Sequence, residues 1–336
     1  MLMTVLPRIG LILTGGTIDS VGTDRLDLAW YIEAGKRLGN GELMAQIPEL
    51  PRIAAVDEIP FRRLPSQALG DKDWLDLLRK VHSVFDRNEA DGIVITHGTN
   101  TLEETAYFLN LTLKTDKPVV VVGAMRPSSA ISADGPLNIV NAVRVAAAPA
   151  SRGRGCLVVM NDTVFNARDV TKNSTYRVQA FASRDVGPLG FSDADGNVVY
   201  YHRPDRKHTV QTEFDARAAT TLPRVDVVLS YVGADGTMIE AAANAGAKGI
   251  VSAATGAGRP TPLEDEAFDR VYAEKGILMC LSSRVACGRV VRSPGLARRG
   301  FVAADNLQPW KARILLSLAL AKTDNADEIQ RMFDTC

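Results

Sequence analysis

The chain has 336 residues, 46% hydrophobic and 23% charged, enough apolar mass for a full core and for two domains. Its formal net charge is +0 and its pI about 6.9, so no electrostatic footprint marks it for nucleic acid or an anionic membrane. No run reaches the roughly 20 apolar residues that span a bilayer, and Met1 to Gly10 lacks the pattern of a secretory signal. A cytoplasmic location is expected. Cys156, Cys280, Cys287 and Cys336 fall outside any CxxC or Cys/His ligand spacing, so neither a metal site nor a cofactor is expected. Cys156 and Cys280, inside apolar runs, read as buried small hydrophobes.

In chain order, a strand over Ile9 to Leu13 ends in Thr14-Gly15-Gly16-Thr17, and a second over Ile93 to Thr96 ends in His97-Gly98-Thr99-Asn100-Thr101. Thr101-Leu102-Glu103-Glu104 has the form of a capping box before a helix over Ala106 to Leu113. Strands over Pro118 to Val122 and Cys156 to Met160 follow, nearly all apolar, as when both faces of a parallel sheet are covered. Pro136 opens a helix over Leu137 to Ala147. From Tyr201 to Pro223 the chain turns polar and reads as a linker. Strands over Val225 to Val232, Gly249 to Ala253 and Ile277 to Leu281 then alternate with helices over Met238 to Ala245, Leu263 to Glu274 and Trp310 to Lys322. The expected fold is α/β. A larger N-terminal domain with an open, mostly parallel sheet and flanking helices spans 1–202, a linker 203–222, and a smaller C-terminal α/β domain 223–336.

The two threonine turns sit where open parallel sheets bind small molecules. A threonine hydroxyl is a weak nucleophile and needs a base or a helix terminus to attack a carbonyl. The Gly15-Gly16 pair lets backbone amides approach a ligand, although such turns are more often plain tight connections. Lys172, closing Arg168-Asp169-Val170-Thr171-Lys172, becomes a base near neutrality only if it is desolvated. Most lysines are solvated surface charges. Ser66-Gln67 and Ala133-Asp134 are ordinary turn residues when read alone.

Taken together, Thr14-Gly15-Gly16-Thr17-Ile18, Ile95-Thr96-His97-Gly98-Thr99 with Glu103 to Leu109, Val122-Gly123-Ala124-Met125-Arg126-Pro127 with Ser132 to Pro136, and Asn161-Asp162-Thr163 with Arg168 to Lys172 resemble bacterial L-asparaginases. The resemblance runs in order over nearly the whole chain. It implies cofactor-free hydrolysis of a small-molecule amide by a dimer or dimer of dimers, with active sites near the subunit interface. By motif position, Thr17 is implied as the nucleophile and Tyr31 as the tyrosine of a mobile lid. Thr99 and Lys172 match the family's second, coupled constellation. Ser66 and Gln67 fall where the substrate's α-carboxylate is held, and Gly16, Gly98 and Ala124 line the substrate in the same motifs. The implied mechanism is double displacement: Thr17 forms an acyl-enzyme, ammonia or an amine leaves, and a water activated near Thr99 and Lys172 releases the acid.

The departures from the pattern concern the substrate's ammonium group. Asn100 stands where the family has an aspartate that binds the ammonium and pairs with the lysine. Gly256-Ala257-Gly258-Arg259 replaces a stretch bearing an asparagine, and Val290 to Leu296 shows Arg292 and Gly295 in place of an acid from a neighbouring subunit. Losing one charged hydrogen-bond partner costs roughly 1.5–3 kcal/mol. The expectation is therefore a substrate without a free α-ammonium, such as the ω-amide of a small dicarboxylic acid, with Asn100 and Arg259 in the binding set. Without a neighbouring carboxylate, Lys172 should also titrate lower. Two alternatives stand beside this reading: an ordinary L-asparaginase whose aspartate has been changed at 100, and a non-catalytic ligand-binding relative on the same fold.

Overall fold

A computed structural model of the chain describes residues 6–39 and 41–336, so the first five residues, which the reading of the amino terminus took in, lie outside it. The chain divides into a first unit ending at Arg217 and a second, Ala218–Cys336.

In the first unit the strands are β1 (Arg8–Leu13), β2 (Ser20–Val21), β3 (Lys36–Arg37), β4 (Ala55–Ile59), β5 (Gly92–Thr96), β6 (Val119–Val122), β7 (Cys156–Met160), β8 (Thr163–Asn166), β9 (Val170–Lys172), β10 (Phe181–Ser183), β11 (Gly190–Ser192) and β12 (Val198–Tyr200). The helices are α1 (Tyr31–Ala34), α2 (Glu42–Ala45), α3 (Asp71–Asp86), α4 (Leu102–Thr112) and α5 (Gly135–Ala147). The main sheet is ordered β12-β11-β8-β7-β6-β5-β1-β4. Strands β4, β1, β5, β6 and β7 are parallel, and β8, β11 and β12 extend the sheet antiparallel. The central strands are buried along almost their whole length, which explains their unbroken Val, Ile and Leu runs. Leu11, Val94, Val120 and Leu157 share one core with Ile139 and Val143 of α5.

Every strand expected in this half is present, with its ends displaced by at most a residue. Helix α3 and strand β4 were not among the expected elements. Helix α3 is amphipathic and buries Trp74, Leu75, Leu78 and Val81. Trp74 stacks on Phe108 of α4 at 5.2 Å and donates its indole N–H to Thr105 Oγ1 at 2.8 Å. The expected capping box at α4 does not form: Thr101 makes no side-chain cap bond and instead donates its hydroxyl to the carbonyl of Ser66 at 2.8 Å. A tie to a distant turn outcompetes the local cap.

Polar composition also concealed structure in the segment read as a linker. His208, Thr209, Thr212, Phe214 and Ala216 are buried within the first unit. The Lys114 ammonium donates to Thr209 O, Thr212 O and Thr212 Oγ1 at 3.0, 2.8 and 2.8 Å. A partly buried ammonium with three oxygen acceptors is satisfied, so this stretch is held down by hydrogen bonds as well as apolar contact.

The second unit is a parallel sheet ordered β13 (Val225–Leu229), β14 (Gly249–Ala254), β15 (Leu278–Ser283) and β16 (Val302–Ala303). Its helices are α6 (Thr237–Asn244), α7 (Pro262–Lys275), α8 (Pro294–Arg298), α9 (Pro309–Leu320) and α10 (Ala326–Thr335). Thr261 and Glu264 form a capping box at the start of α7, and Gly276 at φ 63 ends it. Ile250, Phe268, Met279, Leu281 and Phe301 fill the core. Cys156 and Cys280 are buried free thiols, as expected, and burial pushes both thiols up. Among the described residues no helix is long and apolar enough to cross a membrane.

Candidate active site

The neighbouring parallel strands β1 and β5 end in register, Leu13 opposite Thr96, so the two threonine turns leave the sheet side by side. Thr14 donates both its N–H and its hydroxyl to Thr96 O, at 3.3 and 2.7 Å. Gly16 has φ 118, and a Cβ there would lie 2.6 Å from Gly98 Cα. A Cβ on Gly98 would in turn lie 2.7 Å from Ser66 Oγ. The glycines let the turns bearing Thr17, Ser66 and Thr99 nest, with Thr17 and Thr99 each one residue past the contact. Gly98→Ala should therefore cost about 1–3 kcal/mol of stability through overpacking. Urea unfolding reads this directly, and an unchanged midpoint would show that the turns are not in contact.

Each threonine of interest has a hydroxyl or amine partner. Thr17 Oγ1 lies 2.9 Å from the Tyr31 phenol oxygen, and Lys172 Nζ donates to Thr99 Oγ1 at 2.8 Å. Tyr31 is buried, and burial raises its phenol above the ordinary value, with the Thr17 hydrogen bond opposing. Lys172 is half-buried, and burial holds its ammonium below the ordinary lysine value. One carboxylate opposes that shift: Glu103, buried in the first turn of α4, accepts the Lys172 backbone N–H at 3.4 Å. The sequence placed Glu103 in a helix cap and in one of the family motifs, without a link to Lys172. Its link to Lys172 spans 69 residues and left no local signal. His97 is fully buried with Nδ1 2.8 Å from Gly98 O, and burial lowers it to about 4. It is neutral at working pH and adds no charge beside Thr99.

The other expected substrate residues divide into two groups. Ser66 is buried, and its hydroxyl has no hydrogen-bond partner among the described residues. Asn100 donates its side-chain amide to Gln67 Oε1 at 3.1 Å, and both residues are exposed. Ala124 is buried in a turn held by Asp134, which accepts the backbone N–H of Met125 and of Arg126, each at 2.9 Å. These residues belong to the first unit. Arg259 lies in the second, closing a turn in which Thr255 Oγ1 donates to Arg259 O at 2.7 Å. Its side chain is exposed and has no hydrogen bond or ion pair among the described residues. Arg292 is committed to its own unit, donating Nε to Phe301 O at 2.7 Å and pairing Nη1 with Asp327 at 2.7 Å.

Paired hydroxyls on strand-end turns, one beside a partly desolvated amine, can in chemical terms support nucleophilic attack on a carbonyl. Comparison with known proteins narrows the class. The family model described as "Asparaginase, N-terminal" matches residues 8–206, and "Glutaminase/Asparaginase C-terminal domain" matches residues 224–333. The chain is 44% identical to L-asparaginase 2 of Escherichia coli (strain K12), over 98% of this chain and 93% of that protein. It is 41% identical to the glutaminase-asparaginase of Pseudomonas fluorescens biotype A, over 98% and 91% of the two chains. Among solved structures, one described as a probable cytoplasmic L-asparaginase from Campylobacter jejuni superposes with a TM-score of 0.89 at 38% identity, covering 99% of this chain and 100% of that one. The protein belongs to the asparaginase family. It is an amidohydrolase acting on linear amides.

Proposed function

We propose that the protein hydrolyses the carboxamide of a small, asparagine-like compound through a threonine acyl-enzyme, and that its preferred substrate has no free α-ammonium. The chemistry is supported by the pairs Thr17–Tyr31 and Lys172–Thr99. Thr17 Oγ1 attacks the amide carbon, and its proton passes by way of the Tyr31 hydroxyl to the leaving nitrogen. The C–N bond breaks, ammonia departs and the acyl group stays on Thr17. Water then adds to the ester carbon, giving up a proton through Thr99 to neutral Lys172; the bond between Thr17 Oγ1 and the acyl carbon breaks, the acid leaves, and the proton held by Lys172 returns to Thr17, which leaves the lysine neutral again. Backbone N–H groups of the His97 to Thr101 turn, with Gly16, would face the developing oxyanion.

The substrate preference is carried by Asn100. Its amide donates to Gln67 and supplies no negative charge for an ammonium. The unpartnered hydroxyl of Ser66, with Gln67, suits a substrate carboxylate. Arg259 stays in the binding set on charge alone. Residues 1–202 form the catalytic domain in this reading and 223–336 a C-terminal domain. Assembly as a dimer or tetramer is part of the same proposal, supported by the exposed apolar row Val227, Leu229, Tyr231 and Val232 on and after β13. So is a cytoplasmic location, supported by the free thiols and by the description of the Campylobacter neighbour.

Ammonia release from L-asparagine, L-glutamine, N-acetyl-L-asparagine and succinamate tests the reading. The highest kcat/KM should fall on an amide without an ammonium. A clear preference for L-asparagine would overturn the substrate assignment, and binding without turnover of any amide would leave a ligand-binding relative. Asn100→Asp should restore the missing charge and raise kcat/KM for L-asparagine by roughly 10- to 100-fold, the equivalent of one charged hydrogen bond. An unchanged ratio of L-asparagine to succinamate would show that position 100 does not face the ammonium.

A further inference from the structure

We infer that Asp19, Arg37 and Arg63 are positioning residues that hold Tyr31 against Thr17 by fastening the return limb of the segment between them. The inference rests on the proposed role of Tyr31 for its effect on turnover, but not for its effect on structure.

After Thr17 the chain leaves the site through β2 and comes back through β3, paired antiparallel with Ser20 opposite Arg37 and Val21 opposite Lys36. Tyr31 lies between them, at the start of α1. Apolar burial does little to hold this excursion: Tyr31 is 8% exposed, but its neighbours Trp30 and Ile32 are 71% and 67% exposed. Its interior is organised by Asp27, which accepts N–H bonds from Thr23 and Trp30. The outgoing limb is tied down by hydrogen bonds from Ser128 N–H to Ser20 O, Gly22 N–H to Ser129 Oγ and Ile131 N–H to Arg25 O.

The return limb depends on Asp19. Leu38 N–H donates to Asp19 O at 2.8 Å, and Arg37 Nη1 pairs with Asp19 Oδ1 at 3.2 Å. Arg63 Nη1 donates to Leu38 O at 2.8 Å and lies 3.8 Å from Asp19 Oδ2, while its Nη2 reaches Glu58 of β4 at 3.4 Å. Gly15 leaves room for this arrangement, since a Cβ there would lie 2.5 Å from Arg37 Nη1. The Asp19 side chain is 3% exposed. A carboxylate so deeply buried is tolerated because guanidinium groups face it, and opening the return limb would strip Arg37 away. The buried charge therefore disfavours the open arrangement in particular. Asp19 is two positions past Thr17, so the same short stretch carries the hydroxyl and the anchor that brings Tyr31 to it.

The test compares the full-length protein with Arg37→Ala, Arg37→Lys, Tyr31→Phe and the Arg37→Ala/Tyr31→Phe double variant. Hydrogen exchange is followed over residues 20–37, and turnover is measured on the best amide of the panel. Arg37→Ala should speed exchange in that segment by about tenfold and lower kcat, while amides of the central strands β5 and β6 stay protected. It should add nothing to the kcat loss of Tyr31→Phe, and Arg37→Lys should recover most of both properties. Unchanged exchange, or losses that multiply in the double variant, would overturn the inference. Exchange requires no substrate: faster exchange in a protein that hydrolyses no amide would keep the anchor and reject the chemistry proposed for Tyr31, whereas unchanged exchange in an active enzyme would reject the anchor alone.

Discussion

Thr17→Ala is expected to lower kcat for amide hydrolysis by about ten-thousand-fold or more, because the proposed acyl-enzyme cannot form without the hydroxyl. The fold should be nearly unaffected. The Thr17 hydroxyl has one side-chain partner, the Tyr31 phenol, and the residue is only partly buried, so removing it should cost about 1 kcal/mol or less. Thr17→Ser keeps the oxygen and should retain part of the rate, since it loses only the methyl group that limits the rotamers of threonine. With a slow substrate, mass spectrometry should find the acyl group on Thr17 in the wild type and on no residue of the alanine variant. Turnover of the alanine variant within about tenfold of wild type would remove Thr17 from the reaction.

The second large effect is expected at Lys172. Lys172→Met keeps most of the side-chain volume and removes the amine, so turnover should fall by about 10²- to 10⁴-fold, the usual worth of a general base. Wild-type kcat/KM should rise with pH through a limb lying below the ordinary lysine value of 10.5, because burial favours the neutral amine that accepts the proton. Glu103→Gln should move that limb to still lower pH, since Glu103 is the carboxylate opposing the shift. The same depression has a sign for stability. Between the folded value and 10.5 the unfolded chain binds more protons at this site, so the contribution of Lys172 to stability rises with pH across that window. A pH profile identical in wild type and Glu103→Gln would mean that the limb belongs to another group.

The parts of this site that were legible in the sequence are those whose signal is local. Apolar runs marked the strands ending at Leu13 and Thr96, and the residues directly after them bear the hydroxyls, so their shared end of the sheet followed from chain order and parallel pairing. Helix α3 has an apolar face at helical spacing, but its first turn, Asp71-Lys72-Asp73 after Gly70, is as polar as the loop before it and hides the start of the element. The stretch from His208 to Ala216 is polar for a different reason: oxygens of Thr209 and Thr212 accept from Lys114, 95 and 98 residues earlier in the chain. Thr101 likewise looked like a cap and serves as a tie to Ser66.

The amino-acid sequence by itself determined the alternating α/β elements, the family motifs and the substitution of Asn100, since hydrophobic period and turn chemistry are properties of neighbouring residues. Only the tertiary structure decided which polar groups meet. It joined Asn100 to Gln67, set Glu103 against Lys172, committed Arg292 to Phe301 and Asp327, and gathered Arg37 and Arg63 around Asp19. Burial and charge pairing depend on the whole packed surroundings of a side chain. Identical residues would carry ordinary solvated charges in an unfolded chain, and their perturbed states exist only where the fold has removed water from around them.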